Sequence, residues 1–133
     1  MAKTSSGIYI HIPFCTIKCF YCDYFSTTSY DEDRLPLFFN SLSKEIESYK
    51  DIADNFTFDT IFIGGGTPSI INPSYIENIL NALSRNFDLS HVTEITLEIN
   101  PGEATLENLK SLKKIGVNRL SVGVQSFNNK ILH

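Results

Sequence analysis

The sequence is short of the features that would place it in several common classes. It has three cysteines and no fourth. An odd number of closely spaced cysteines is poorly suited to a disulfide framework, and a structural zinc site built from thiolates alone needs four. It has no excess of positive charge. Eleven Lys and Arg stand against fifteen Asp and Glu, a formal net charge of −4. No basic face for nucleic acid is therefore expected. No apolar run is long enough to span a membrane, and the opening residues MAKTSSG carry no apolar signal core. The simplest compartment is the cytoplasm, where thiols stay reduced and can hold iron. Low-complexity tracts, linkers and repeats beyond a strand–helix unit are also missing. What remains is a chain of 133 residues, 42% hydrophobic. That is one domain's worth, able to bury about two-thirds of its unfolded surface.

All three cysteines fall in the stretch from Tyr9 to Tyr24, YIHIPFCTIKCFYCDY. Cys15, Cys19 and Cys22 are spaced C-x3-C-x2-C, directly after an apolar run. Thiolates are soft anionic ligands, and three of them on a short loop can wrap one metal centre. In a cubic 4Fe–4S cluster they would hold three irons and leave the fourth open. An electron carrier usually has four protein ligands, so an open iron suits a centre that binds a substrate or cofactor. By spacing alone, two other readings stay open. The cysteines could be small buried hydrophobes, or they could ligate zinc if His11, the one nearby histidine, supplied a fourth ligand.

Along the chain, strands and helices alternate. Ile8 to Ile12 reads as a strand ended by Pro13. Pro36 suits a first helical turn, followed by Phe38, Leu42, Ile46 and Tyr49 at helical spacing. Phe58 to Ile63 is a second strand, running into Gly64-Gly65-Gly66-Thr67-Pro68. Asn72-Pro73 starts a second helix whose buried face is Ile76, Ile79, Leu80, Leu83 and Phe87. Glu94 to Ile99 is a third strand, stopped by Asn100-Pro101-Gly102. Thr105 caps a third helix lined by Leu106, Leu109, Leu112 and Ile115 and ended by Gly116. Arg119 to Val124 is a fourth strand, and Asn129 to His133 reads as the opening turn of another helix. Such crossovers impose parallel pairing, so the fold class is α/β with a parallel sheet.

The chemically suggestive residues follow strand ends, where parallel α/β folds place their sites. The glycine run lets backbone approach a ligand, although an ordinary turn would look the same. It is not a phosphate loop, since no Gly-Lys-Ser/Thr follows. Glu98 and Asn100 should point to one side of their strand. An interior acid needs a partner, either a ligand or a salt bridge within the fold. Gln125 carries the same ambiguity. Tyr9 and Tyr21 taken singly read as packing residues. Four strands do not close a barrel, so residues 1–133 are expected to be the N-terminal part of a larger one, truncated after its fourth strand.

Taken together, the motifs resemble a known family. The cysteine loop, with Tyr21 before its last cysteine, is similar to the cluster loop of radical S-adenosylmethionine (SAM) proteins. YIHIPFC, CDYFS, FIGGGTPS, LEINPGE and GVNRLSVGVQSFN resemble the branch of oxygen-independent coproporphyrinogen III oxidase and its relatives, in order and over nearly the whole chain. The resemblance implies a partial (β/α) barrel. Cys15, Cys19 and Cys22 would hold the cluster, and SAM would bind the open iron. Gly65, Gly66 and Thr67 would meet the methionine end of SAM, together with Glu98 and Tyr9, while Tyr21 and Gln125 match contacts to a second SAM. One departure sets the branch. The oxidases carry a further cysteine two residues after the third cluster cysteine, and here that position is Tyr24. Cys22-Asp23-Tyr24 resembles instead the heme chaperones of the same family. Their implied partners are SAM, heme, an electron donor and a heme-acceptor protein. For an oxidase the substrate would be a porphyrinogen.

Overall fold

The computed structural model describes residues 3–132. Four strands form one parallel sheet: β1 (Thr4–Ile12), β2 (Phe56–Gly65), β3 (Glu94–Ile99) and β4 (Arg119–Val122). Between them run α1 (Arg34–Ser48), the single turn α2 (Lys50–Ala53), α3 (Pro73–Asn86) and α4 (Leu106–Lys114). The sheet order is β1-β2-β3-β4, so each strand lies beside its successor in the chain.

One face of the sheet is apolar and covered by helices. Ile10, Ile12, Ile61, Ile63 and Leu97 are each at most 5% exposed and pack against Phe39 and Ile46 of α1 and Ile76, Ile79 and Leu83 of α3. Burying each such side chain stabilises the fold by about 1.5–3 kcal/mol. A bulge keeps the apolar set on this face. Ser6 pairs with Phe58 and Gly7 with Thr60, which leaves Asp59 without a partner across the pair. The extra residue resets the alternation, so Phe58, Ile61 and Ile63 all point into the core.

The other face is polar and carries Tyr9, His11, Thr96, Glu98, Arg119 and Ser121. Thr96, with no exposed surface, donates to Glu94 Oε1 at 2.8 Å and accepts from Arg119 Nη1 at 3.2 Å. Arg119 also pairs with Glu94 at 3.5 Å. This ion pair is half exposed and sits at Glu94, two pleat repeats from Glu98.

The helix caps follow the sequence. Asn72 Oδ1 accepts from the Ser74 amide at 3.0 Å, and Thr105 Oγ1 from the Asn108 amide at 3.1 Å. Gly116 ends α4 with φ +112°, a left-handed conformation that suits glycine. Other details differ. The first strand begins at Thr4, four residues before its apolar part, because Thr4 to Ser6 pair with Phe56 to Phe58. The most deeply buried aromatic of α1 is Phe39, at 4% exposed, and Tyr49 is half exposed where the chain turns into α2. Leu106 is 69% exposed, since only the later turns of α4 reach the sheet. The fourth strand stops at Val122. The segment after Asn128 forms a hydrogen-bonded turn, with the Ile131 and Leu132 amides on the Asn128 carbonyl, and His133 lies outside the described residues.

Candidate functional site

Every candidate residue lies at or beyond the C-terminal end of the sheet, except Tyr9 inside β1. The cysteine loop springs from the end of β1 and is closed at its base by a parallel bridge between Phe14 and Thr27. There the Cys15 amide donates to Thr27 O at 3.0 Å and the Thr27 amide to Pro13 O at 2.8 Å. Within the loop, the Cys22 amide turns back to Cys19 O at 3.1 Å. Lys18 Nζ ties the two arms together through Tyr24 O and Ser26 Oγ, both at 2.9 Å. All three cysteines carry free, half-buried thiols.

The glycine loop clips onto this base. The Gly66 amide donates to Ile12 O at 2.8 Å and the Thr67 amide to Phe14 O at 2.7 Å. A Cβ on Gly66 would run into the Phe14 and Pro13 backbone, and one on Gly64 would meet the Glu98 carboxylate at 2.7 Å. Gly65 has φ +117° and lies against the His11 ring. The room created by these glycines is thus taken first by the protein's own chain. Glu98 Oε2 accepts from the Gly65 amide at 3.0 Å, so its partner within the fold is a backbone donor and not a cation.

Beside this clip, Gly66, Thr67, Glu98, Asn100, Ser121 and Gly123 line a cleft of 220 Å³. Glu98 and Asn100 share it, as strand alternation requires. The volume is below the roughly 300–1,000 Å³ of a complete small-molecule pocket, so a nucleoside-sized ligand would occupy it only in part. A larger apolar cavity of 580 Å³ lies between α1, α2 and β1. It gathers no comparable set of converging polar groups and is not the candidate site. Gln125, beyond β4, adopts φ +63° and donates to Asn100 Oδ1 at 3.2 Å. A left-handed non-glycine residue costs about 1–2 kcal/mol, and here that conformation brings its side chain to the cleft.

Tyr9 and Tyr21 are not packing residues, being 53% and 74% exposed. Tyr9 Oη donates to His11 Nδ1 at 3.0 Å, and His11 Nε2 donates to Phe25 O at 2.8 Å. A carbonyl can only accept, which fixes the proton on Nε2 and leaves Nδ1 as acceptor. His11 thus spends both ring nitrogens inside the protein and is not a free fourth metal ligand. The Tyr9 phenol is raised above its ordinary pKa by partial desolvation, then by Glu98 and Tyr24. Tyr21 is raised first by its hydrogen bond with the Cys19 side chain and then by the Cys19 charge.

No three His, Cys, Asp or Glu side chains among the described residues close into a single-ion cage. A cubane does not require one, because each thiolate binds a different iron. Three reduced thiols on a loop held at both arms, opening beside a polar cleft, have the donor chemistry for that larger group. Two residues went unnoticed in the sequence as parts of the site. Lys18 braces the loop, and Glu103 accepts from Asn100 Nδ2 at 2.8 Å. Both lie inside stretches quoted above, Lys18 in the cysteine loop and Glu103 at the end of LEINPGE, and only the fold shows what they hold.

A parallel βα sheet with a three-thiol loop after its first strand defines a metal- and cofactor-binding partial barrel. The radical SAM superfamily model matches residues 9–133, and the chain belongs to that superfamily. Membership implies a 4Fe–4S cluster and SAM. The chain is 38% identical over 126 residues to the heme chaperone HemW of Buchnera aphidicola subsp. Acyrthosiphon pisum, covering 95% of this chain and 34% of that protein. It is 38% identical over 132 residues to the heme chaperone HemW of Lactococcus lactis, covering 99% and 34%. In structure it is similar to coproporphyrinogen III oxidase (HemN) from Escherichia coli, described as a radical SAM enzyme. The TM-score is 0.83 and the identity 31%, over 97% of this chain and 30% of that one. By sequence, then, it falls with proteins of the heme chaperone branch, and it spans about a third of their length. Among the described residues no helix is long and apolar enough to cross a membrane.

Proposed function

We propose that this chain is the cluster- and SAM-binding part of a heme chaperone, a protein that carries heme to acceptor proteins. The observation that carries this reading is the clip between two loops. Cys15 and Thr67 are held side by side, with Glu98 and Asn100 facing the same cleft. Cys15, Cys19 and Cys22 would hold three irons of the cluster. Gly65, Gly66, Thr67, Glu98 and Tyr9 would receive one SAM, and Tyr21 and Gln125 would face a second ligand position. When bound, the cluster supplies an electron for reductive cleavage of SAM. The protein's own residues orient the ligand. Glu98 keeps a carboxylate lone pair for an ammonium group while holding the glycine loop, and the Tyr9 oxygen, its proton given to His11 Nδ1, keeps a lone pair as an acceptor. A larger barrel around these units is supported by β4, whose Leu120 and Val122 are 40% and 52% exposed on the face that helices cover elsewhere.

The choice of chaperone over oxidase rests on Tyr24 and on the names of the sequence relatives. The structural likeness to HemN keeps oxidative decarboxylation of coproporphyrinogen III, without oxygen, as the second reading. Anaerobic reconstitution tests the common part. About four irons and four sulfides per chain are expected, as three thiolates and one open iron require, and none in Cys19→Ala. Tightly held zinc without sulfide would overturn it. A protein that carries this part together with the rest of its barrel, reconstituted in the same way, should bind heme and pass it to an apo-acceptor, leaving coproporphyrinogen unchanged. Turnover of coproporphyrinogen would decide for the oxidase.

A further inference from the structure

Thr67 is 5% exposed, and its hydroxyl lies 3.9 Å from Cys15 Sγ. Sulfur's larger radius allows a hydroxyl–sulfur hydrogen bond to be longer than one to oxygen. The hydroxyl has one proton, and a second contact decides where that proton goes. Asn100 Nδ2 donates to Thr67 Oγ1 at 3.3 Å. With its oxygen accepting from an amide, Thr67 has its proton free for the sulfur. The Asn100 orientation is fixed in turn from two sides. Its Nδ2 also donates to Glu103 Oε2 at 2.8 Å, and its Oδ1 accepts from Gln125 Nε2 at 3.2 Å. Turning the amide over would set oxygen against a carboxylate and nitrogen against a donor. Four residues from three segments therefore point one hydrogen at one cysteine sulfur.

We infer that Asn100, held by Glu103 and Gln125, is a positioning residue that aims the Thr67 hydroxyl at Cys15 and thereby raises the reduction potential of the cluster. The inference rests on the cluster assignment of the preceding section. Reduction adds negative charge that is shared with the ligand sulfurs, and a hydrogen bond to such a sulfur stabilises the reduced form more than the oxidised one. Thr67 and Asn100 act in series, so removing either should have the effect of removing both.

The test is potentiometry on the anaerobically reconstituted protein without SAM, with iron and sulfide counted first. Those counts check the cluster assignment, and the potential checks the relay. Thr67→Val and Asn100→Leu should each keep the cluster and lower its reduced-to-oxidised ratio at fixed potential about tenfold, which is ~59 mV for one electron. The double variant should shift no further than either single one. Thr67→Ser, which restores the hydroxyl, should stay near the parent. Should Asn100→Leu fail to fold, vibrational spectra of the iron–sulfur bonds in heavy water give a second readout. The deuterium shift of the parent should be kept in Thr67→Ser and reduced in Thr67→Val, where only contacts to the other cysteines, such as that of Tyr21 with Cys19, remain. Full clusters with unchanged potentials, additive shifts in the double variant, or a deuterium shift in Thr67→Val as large as the parent's would each overturn the relay and leave the cluster assignment standing.

Discussion

The loop after β2 and the loop after β1 leave the same end of the sheet, and their surroundings differ. In the first, Gly64, Thr67, Pro68 and Ser69 are buried. In the second, Ile17, Phe20, Tyr21, Tyr24 and Phe25 are between 65% and 100% exposed. The glycine loop is fixed by bonds to Ile12 O, Phe14 O and Glu98, and by backbone contacts too close for any side chain. The cysteine loop is fixed at the Phe14–Thr27 base, through Lys18 and by the His11 bond to Phe25 O. Its apolar side chains contribute little to the core, and the proposed cluster would add a further tie through the thiols. One loop is a rigid platform, and the other is a more exposed clasp.

The platform should fail first when disturbed. Gly66→Ala puts a methyl group into backbone that cannot rotate away, with an expected loss of about 2–3 kcal/mol in urea unfolding together with poor cluster retention. A variant within about 0.5 kcal/mol of the parent, the scatter of neutral surface changes, would show that the clip is not rigid.

Glu98→Gln probes the face of the platform turned toward the ligand. Glutamine can still accept from the Gly65 amide, so stability and cluster should persist. SAM affinity should fall about tenfold or more, because a charge-assisted bond is lost. Unchanged affinity by titration calorimetry would leave Glu98 with the glycine loop as its whole role.

The smallest effects belong to the clasp. Lys18→Met should change global stability by less than about 1 kcal/mol, in line with exposed polar contacts. It should nevertheless speed amide exchange between residues 15 and 26 several-fold in the cluster-free protein. Phe20→Ser, at a side chain 100% exposed, should stay within about 0.5 kcal/mol of the parent. A large loss there would mean that Phe20 packs on something after all, and the contrast between the two loops would narrow.

What could be read from the sequence was whatever depends on near neighbours in the chain. The third strand matched Glu94–Ile99, and Asn72, Thr105 and Gly116 did what cap residues do locally. The bulge at Asp59 was missed, although Phe58 and Ile61 stand three apart, a spacing that plain alternation cannot place on one face. The early start of β1 was hidden because Thr4 to Ser6 are polar and owe their strand conformation to pairing with residues more than fifty positions away. The cysteine spacing left zinc and plain burial open, and the motifs flanking it were what pointed to a cluster. The glycines suggested room for a ligand, whereas much of that room is filled by Phe14, Pro13, His11 and Glu98. The link from Asn100 through Thr67 to Cys15 spans three segments, and only their assembly brings it together.

The strict β1-β2-β3-β4 order also bears on how the protein comes to exist during its synthesis. Each strand finds its partner in the next one to emerge from the ribosome, so no strand has to wait beside a vacant neighbour. Once Thr67 is clear, the clip between Ile12, Phe14 and the glycine loop can close, and the three thiols are gathered on a braced base while Glu98 and Gln125 are still unmade. Each pairing still spans a helical crossover of tens of residues, so sequential order sets the sequence of events while the long loops keep each step slow. The cysteine loop and its base are therefore made before Glu98, Asn100 and Gln125, the residues that complete the cleft beside them.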